Sequence, residues 1–80
     1  MYLVYILRST RQRRFYIGHT SDINKRLQTH NNGEVRSTKA YRPWAIVYTE
    51  PHENKQDAYG RELKVKSYKG GEAFKRLIQE

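Results

Sequence analysis

The chain is 80 residues long, enough for one domain and too short to bury a thick core. It contains no cysteine, which excludes a disulfide framework, a disulfide-linked partner and a thiolate-ligated zinc, so packing alone must hold it together. Sixteen Lys and Arg against eight Asp and Glu leave a formal charge of +8 and a pI near 10.0, a balance that points to a polyanionic partner, nucleic acid before any other.

The first residues, M-Y-L-V-Y-I-L-R, place an apolar run before the first positive charge and are far shorter than a spanning helix. They fit neither a signal peptide nor a membrane segment, and no later stretch pairs a wide apolar face with a basic one, so the expectation is a soluble, cytoplasmic protein without a membrane partner. Within that run Leu3 to Leu7 is unbroken and rich in strand formers, as suits a central strand covered on both faces. Arg8 to Arg14 reads as a polar linker carrying Arg8, Arg11, Arg13 and Arg14, and a second strand follows from Phe15 to about His19. The two form a hairpin whose basic tip either grips phosphate or is a solvated run of charge.

Gly18 is expected to make a tight turn, Ser21 to cap a helix from Asp22 to about Asn31, and Gly33 to close it. Ile23 and Leu27 make the buried stripe of that helix, with Arg26 and His30, also four apart, on an adjacent polar edge. Residues 32–42 form a basic loop with Arg36, Lys39 and Arg42. After Pro43 comes a third strand, W-A-I-V-Y-T, expected to stop at Glu50-Pro51 because proline cannot continue a ladder. Asn54 caps a second helix that reaches about Tyr68, Gly70-Gly71 breaks it, and a short third helix places Phe74, Leu77 and Ile78 toward the sheet. No repeat, low-complexity tract or linker divides the chain, so residues 1–80 read as a single α+β domain of order β-β-α-β-α-α.

Ala58, Glu62 and Val65 fall on one helical stripe, which puts a carboxylate where an apolar residue is expected. A buried carboxylate must be paired, hydrogen-bonded or metal-bound. Two readings stay open: a salt bridge to Lys66 or a neighbouring strand, or a ligand to Mg²⁺ completed by water and substrate phosphate. His19, His30 and His52 lack the spacing of a zinc site. Of the seven tyrosines, Tyr5 and Tyr16 stand on neighbouring strands with their register undetermined. Tyr2, Tyr48, Tyr59 and Tyr68 are assigned to packing, and Tyr41 is a candidate for stacking on a base.

Val4-Tyr5-Ile6, then Tyr16-Ile17-Gly18, then Arg26 and His30 on one helix and Glu62 on another: in this order and spacing the chain resembles the GIY-YIG nuclease superfamily over nearly its whole length. It is most similar to the small stand-alone bacterial members, related to the nuclease domain of an excision-repair endonuclease subunit. The resemblance implies a three-stranded antiparallel sheet flanked by three helices and hydrolysis of DNA phosphodiesters with one divalent ion, Mg²⁺ or Mn²⁺, in DNA repair or processing. It further implies that Tyr5 or Tyr16 deprotonates the attacking water, that Arg26 neutralises the phosphate, that His30 positions a tyrosine hydroxyl or the phosphate, and that Glu62 holds the metal. Val4 stands where the family name has Gly, and no residue after Glu62 matches a late polar position, commonly Asn, of several family nucleases. Against the endonuclease stand two other readings: a nucleic-acid-binding module that keeps the fold without cleaving, gripping DNA through Arg8 to Arg14 and Arg36 to Arg42, and a basic adaptor of a larger repair complex.

Overall fold

The structure, a computed structural model, describes residues 1–79; Glu80, the end of the expected domain, lies outside the described residues. The unbroken apolar run becomes β1 (Tyr2–Ser9), the middle strand of a three-stranded antiparallel sheet of order β2-β1-β3. Val4, Tyr5, Ile6 and Leu7 are fully buried, as a strand covered on both faces requires. The covering is divided by strand alternation. Tyr5 and Leu7 pack with Trp44 under helix α1 (Ile23–Asn31), whereas Ile6 packs with Val65 of α2 (Lys55–Ser67) and Phe74 of α3 (Glu72–Ile78). The result is an α+β fold with the sheet held between helices, in the order β-β-α-β-α-α.

β2 (Phe15–Thr20) pairs with β1 so that Leu7 faces Tyr16 and Tyr5 faces Gly18. Cross-strand partners point to one face; Tyr5, Leu7, Tyr16 and Gly18 therefore all face α1, while Val4 and His19, also partners, face α2. Valine at position 4 suits this place, a fully buried interior strand position that asks nothing of glycine's backbone freedom.

Several boundaries differ from the sequence expectation. Arg8 belongs to β1, opposite Phe15, and its guanidinium lies 5.6 Å from the Phe15 ring centre. Asp22, not Ser21, caps α1 by accepting a hydrogen bond from the Lys25 backbone N–H at 3.1 Å, because the helix starts one residue later and the short carboxylate reaches its first turn. β3 (Trp44–His52) runs on through Pro51, which pairs with Leu3; at the sheet edge a proline nitrogen need not serve the ladder. Gly33 closes α1 as expected with φ +78°, a conformation that favours glycine. Asn54 caps α2 as expected, accepting from the Asp57 N–H at 2.8 Å.

The basic loop of residues 32–42 is folded. It contains a 3-10 turn (Lys39–Tyr41), buries Thr38, and is tied to β3 by the Trp44 indole N–H, which donates to Thr38 C=O at 3.0 Å; its two ends are held together by Asn31 of α1, whose amide accepts from Trp44 N–H at 2.6 Å and donates to Trp44 C=O at 3.1 Å.

Candidate active site

β1, β2 and α1 converge on Tyr5. Its hydroxyl lies 3.3 Å from His30 Nε2, its ring centre 6.2 Å from that of Tyr16, and Tyr16 in turn sits 4.6 Å from the His30 imidazole. The expected polar edge of α1 is thus divided: His30 is 1 % exposed and turned into the protein, and Arg26, one turn earlier, stays at the surface. Arg26 lines a polar recess of about 360 Å³ with Thr20, Ser21, Asp22, Lys25 and Thr29.

The hydrogen bonds assign a protonation state to this cluster. Thr38 Oγ1 donates to the Val35 carbonyl at 3.3 Å, so at 2.9 Å from His30 Nδ1 it is left to accept that nitrogen's proton. His30 Nε2 then carries the lone pair and accepts the Tyr5 hydroxyl. The electrostatics agree: burial, with the Arg26 charge beside it, lowers the His30 pKa from its usual value, which keeps the ring neutral. Burial first, then Tyr16 and Glu62 against the opposing charge of Arg26, pushes the Tyr5 pKa far up. Tyr5 is therefore a neutral donor.

Gly18 is not in a turn. It lies within β2 opposite Tyr5, and a Cβ there would stand 2.6 Å from the Tyr5 hydroxyl oxygen. The glycine is needed for the space of the phenol, not for backbone freedom.

Glu62 is 7 % exposed on the buried stripe of α2, which packs on β2 and β1. Both partners of its paired reading are present: Oε2 accepts from Lys66 Nζ at 2.7 Å in an ion pair, and Oε1 accepts a hydrogen bond from His19 Nδ1–H on the neighbouring strand at 2.6 Å. His19 is absent from the sequence reading of the site. The spacing of a zinc site discards it, yet strand alternation turns it, next after Gly18, toward the α2 stripe that carries Glu62. Thr38 left no comparable signal, since its role depends on how the loop folds.

The site therefore has two parts about the β2 edge of the sheet. Tyr5, Tyr16 and His30 touch one another on the α1 side with Arg26 beside them, and Glu62 with His19 stands on the α2 side, near enough to bias the ionisation of Tyr5. Among the described residues no three His, Cys, Asp or Glu side chains gather as a metal cage. The donor set still fits a hard divalent cation, because one carboxylate with water and substrate phosphate is the ordinary way Mg²⁺ is held.

The basic residues expected to meet DNA lie on the end of β1, at the β1–β2 hairpin tip and on the 32–42 loop. The tip of the β1–β2 hairpin, with Arg11, Arg13 and Arg14 exposed, is tied to the 32–42 loop: Ser9 Oγ donates to Tyr41 C=O at 2.7 Å and Thr10 N–H to Pro43 C=O at 2.9 Å. Arg14 lies 4.8 Å over the Tyr41 ring, so that face of Tyr41 holds a guanidinium. Arg42 folds back on Lys39 C=O at 2.9 Å, and Arg36 and Lys39 are exposed. Arg8, Arg11 and Arg13 line a groove of about 480 Å³ floored by Ala45 and Val47 of β3. No helix among the described residues is long and apolar enough to cross a membrane.

Comparison with known proteins agrees with this architecture. UPF0213 proteins of Staphylococcus aureus strains Mu3 and N315 are 39% identical over 66 residues, covering 81% of this chain and 79% of theirs. The solution NMR structure of the UPF0213 protein BH0048 from Bacillus halodurans superposes with a TM-score of 0.59 at 27% identity, covering 99% of this chain and 84% of that one. The family model described as the GIY-YIG catalytic domain matches residues 1–74, and on that span the chain belongs to the GIY-YIG family.

Proposed function

We propose that the protein is a metal-dependent endonuclease that hydrolyses DNA phosphodiesters, a cytoplasmic enzyme of DNA repair or processing. The convergence of Tyr5, Tyr16 and His30 beside Arg26, with Glu62 across the β2 edge, carries the reading. Arg26, exposed and permanently charged, offers its fork to two phosphate oxygens. Between the two tyrosines access decides. Tyr5 is 1 % exposed and donates a hydrogen bond to His30, so it fixes the cluster, while Tyr16 is only partly buried and is the side chain that, once its own proton has gone to solvent, can meet a water as the phenolate and take its proton. Glu62 would hold Mg²⁺ or Mn²⁺, oriented by His19 Nδ1–H. The ion supplies charge neutralisation at the leaving oxygen. Arg8, Arg11, Arg13, Arg14, Arg36, Lys39 and Arg42 grip the backbone, which positions DNA without selecting sequence.

One observation favours the rival, a binding module that retains the fold: both Glu62 oxygens are already engaged, by His19 and Lys66. Lys66 is half exposed and free to swing into solvent, which keeps the nuclease reading ahead. Labelled duplex, branched and single-stranded DNA incubated with Mg²⁺, Mn²⁺ or EDTA decides between them. Cleavage that needs the ion and disappears in Glu62→Gln and Arg26→Ala is expected. Binding with no cleavage under any ion makes the protein a binding module, and cleavage that persists in both variants overturns the site.

A further inference from the structure

Tyr59 was expected in the packing, but it is 51 % exposed on α2. Among the described residues, the large hydrophobic side chains left open are Met1, Ile46, Val47, Tyr59 and Leu63, of which Tyr59 alone is aromatic. Its ring meets the His19 imidazole edge-on, 5.8 Å between centres at 65°. His19 in turn holds Glu62 at 2.6 Å. Tyr59 is thus joined through one side chain to the carboxylate of the proposed site. Together with His19, Lys55 and Gln56 it lines an open, mainly apolar recess of about 570 Å³ on the α2 side.

We infer that this recess, built on Tyr59 and His19, is a stacking site for an unpaired nucleobase of the DNA strand whose phosphate lies at the Tyr16–Arg26–Glu62 centre. The inference rests on the nuclease reading only for the direction from which the strand arrives. Three features select a nucleobase. The ring packs against His19 at a steep interplanar angle and is open over half its surface, so it is pre-oriented before binding, and stacking on a fixed aromatic is tolerant of base identity. Lys55 adds positive charge at the rim for the strand's phosphate, in a chain of net charge +8. Gln56 offers an amide that can both donate to and accept from a base edge. A duplex buries both faces of its bases, so the recess discriminates in favour of single-stranded or splayed DNA.

Fluorescence anisotropy in EDTA, with the intact protein and a short labelled oligonucleotide, tests this without requiring cleavage. Tyr59→Ala is expected to weaken single-strand binding about 5- to 100-fold, the range of one lost base–aromatic stack. Tyr59→Phe and Tyr59→Trp should retain it, and duplex affinity should change less than about twofold. The wild-type protein should also lose its single-strand advantage on a strand of abasic nucleotides. Unchanged single-strand binding in Tyr59→Ala overturns the inference, and so does an equal loss on single strand and duplex. A protein that shows the Tyr59 effect but never cleaves keeps this site and loses the nuclease; one that cleaves with Tyr59→Ala binding unaltered keeps the nuclease and loses this site.

Discussion

The hydroxyl oxygen of Tyr5 lies over Gly18, 2.6 Å from where a Cβ at that glycine would stand, with the ring carbon that bears it at 2.8 Å. Tyr5 is buried between β2 and His30 and has no open direction in which to retreat. Gly18→Ala should therefore act through Tyr5, costing about 1–3 kcal/mol as an overpacked core position and displacing the phenol from His30. Urea denaturation checks the stability. In a Tyr5→Phe background the same alanine should cost less, because the nearest of the clashing atoms is gone. Equal costs in the two backgrounds would remove Tyr5 from the explanation.

Thr38 is expected to set the tautomer of His30 through the bond to Nδ1 at 2.9 Å. Thr38→Val keeps the shape and removes the acceptor, leaving a buried N–H unsatisfied at about 1–3 kcal/mol. Thr38→Ser should keep both stability and tautomer. Nitrogen NMR of the imidazole reads this directly: the wild type should carry its proton on Nδ1 and Thr38→Val should shift it toward Nε2. A wild-type ring already protonated on Nε2 would reverse the Tyr5–His30 and His30–Thr38 bonds and take the Thr38 proton away from the Val35 carbonyl.

Much of this arrangement is legible in the sequence, and the limits have physical causes. The run Leu3 to Leu7 announces a strand buried on both faces, and the Ala58, Glu62, Val65 stripe announces a carboxylate facing the sheet. Register is not legible, since a slip of one residue reverses every side chain; only the pairing of Tyr5 with Gly18 shows that Tyr5 and Tyr16 share a face and that the glycine makes room rather than a turn. Helical spacing places Arg26 and His30 together on an edge, but the tight fit of the 32–42 loop buries the second and leaves the first in water. His19 and Tyr59 are separated by 40 positions and meet only because α2 packs on β2.

Glu50 is the centre of a network on β3 that pins α2. It accepts from Tyr48 Oη at 2.6 Å and His52 Nε2 at 2.6 Å, and Arg61 Nε reaches both its oxygens at 3.2 and 2.9 Å. Glu50→Ala strands the Arg61 guanidinium, one-quarter exposed, and should lower stability by about 2 kcal/mol, the scale of a lost charged hydrogen bond. Glu50→Gln should recover part of this, since its amide oxygen still accepts. Thermal melts of the two variants check the order, and a melt of Glu50→Ala at the wild-type temperature would make the network a surface ornament.

The basic hairpin tip should act on DNA affinity through salt. Each phosphate neutralised releases condensed counterions, so replacing Arg11 and Arg13 by alanine should flatten the slope of log affinity against log salt by about one per arginine. Both side chains are exposed, so folding should be unchanged. A parallel loss of affinity at every salt concentration, with the slope intact, would place the phosphates elsewhere.

Stability should fall with acid in two separate windows. His30 is the first: its folded pKa is lowered by burial and by Arg26, so the unfolded chain binds more protons than the folded one once pH drops below the ordinary value of 6.5. The unfolded state is then favoured progressively down to the folded pKa, and the stabilisation present above 6.5 is lost across that interval. Glu50 is the second. Burial pushes its carboxyl up, but hydrogen bonds from Tyr48, Arg61 and His52, with the Arg61 charge, more than offset this and leave it below its ordinary 4.5. Its contribution is complete above 4.5 and is lost as pH falls toward the folded value. Melting temperature followed from neutral pH downward should therefore decline first just below 6.5 and again below 4.5. His30→Gln should erase the first decline and keep the second, whereas Glu50→Gln should do the reverse. A first decline that survives in His30→Gln would take that titration away from His30 and remove the case for a neutral His30 beside Tyr5.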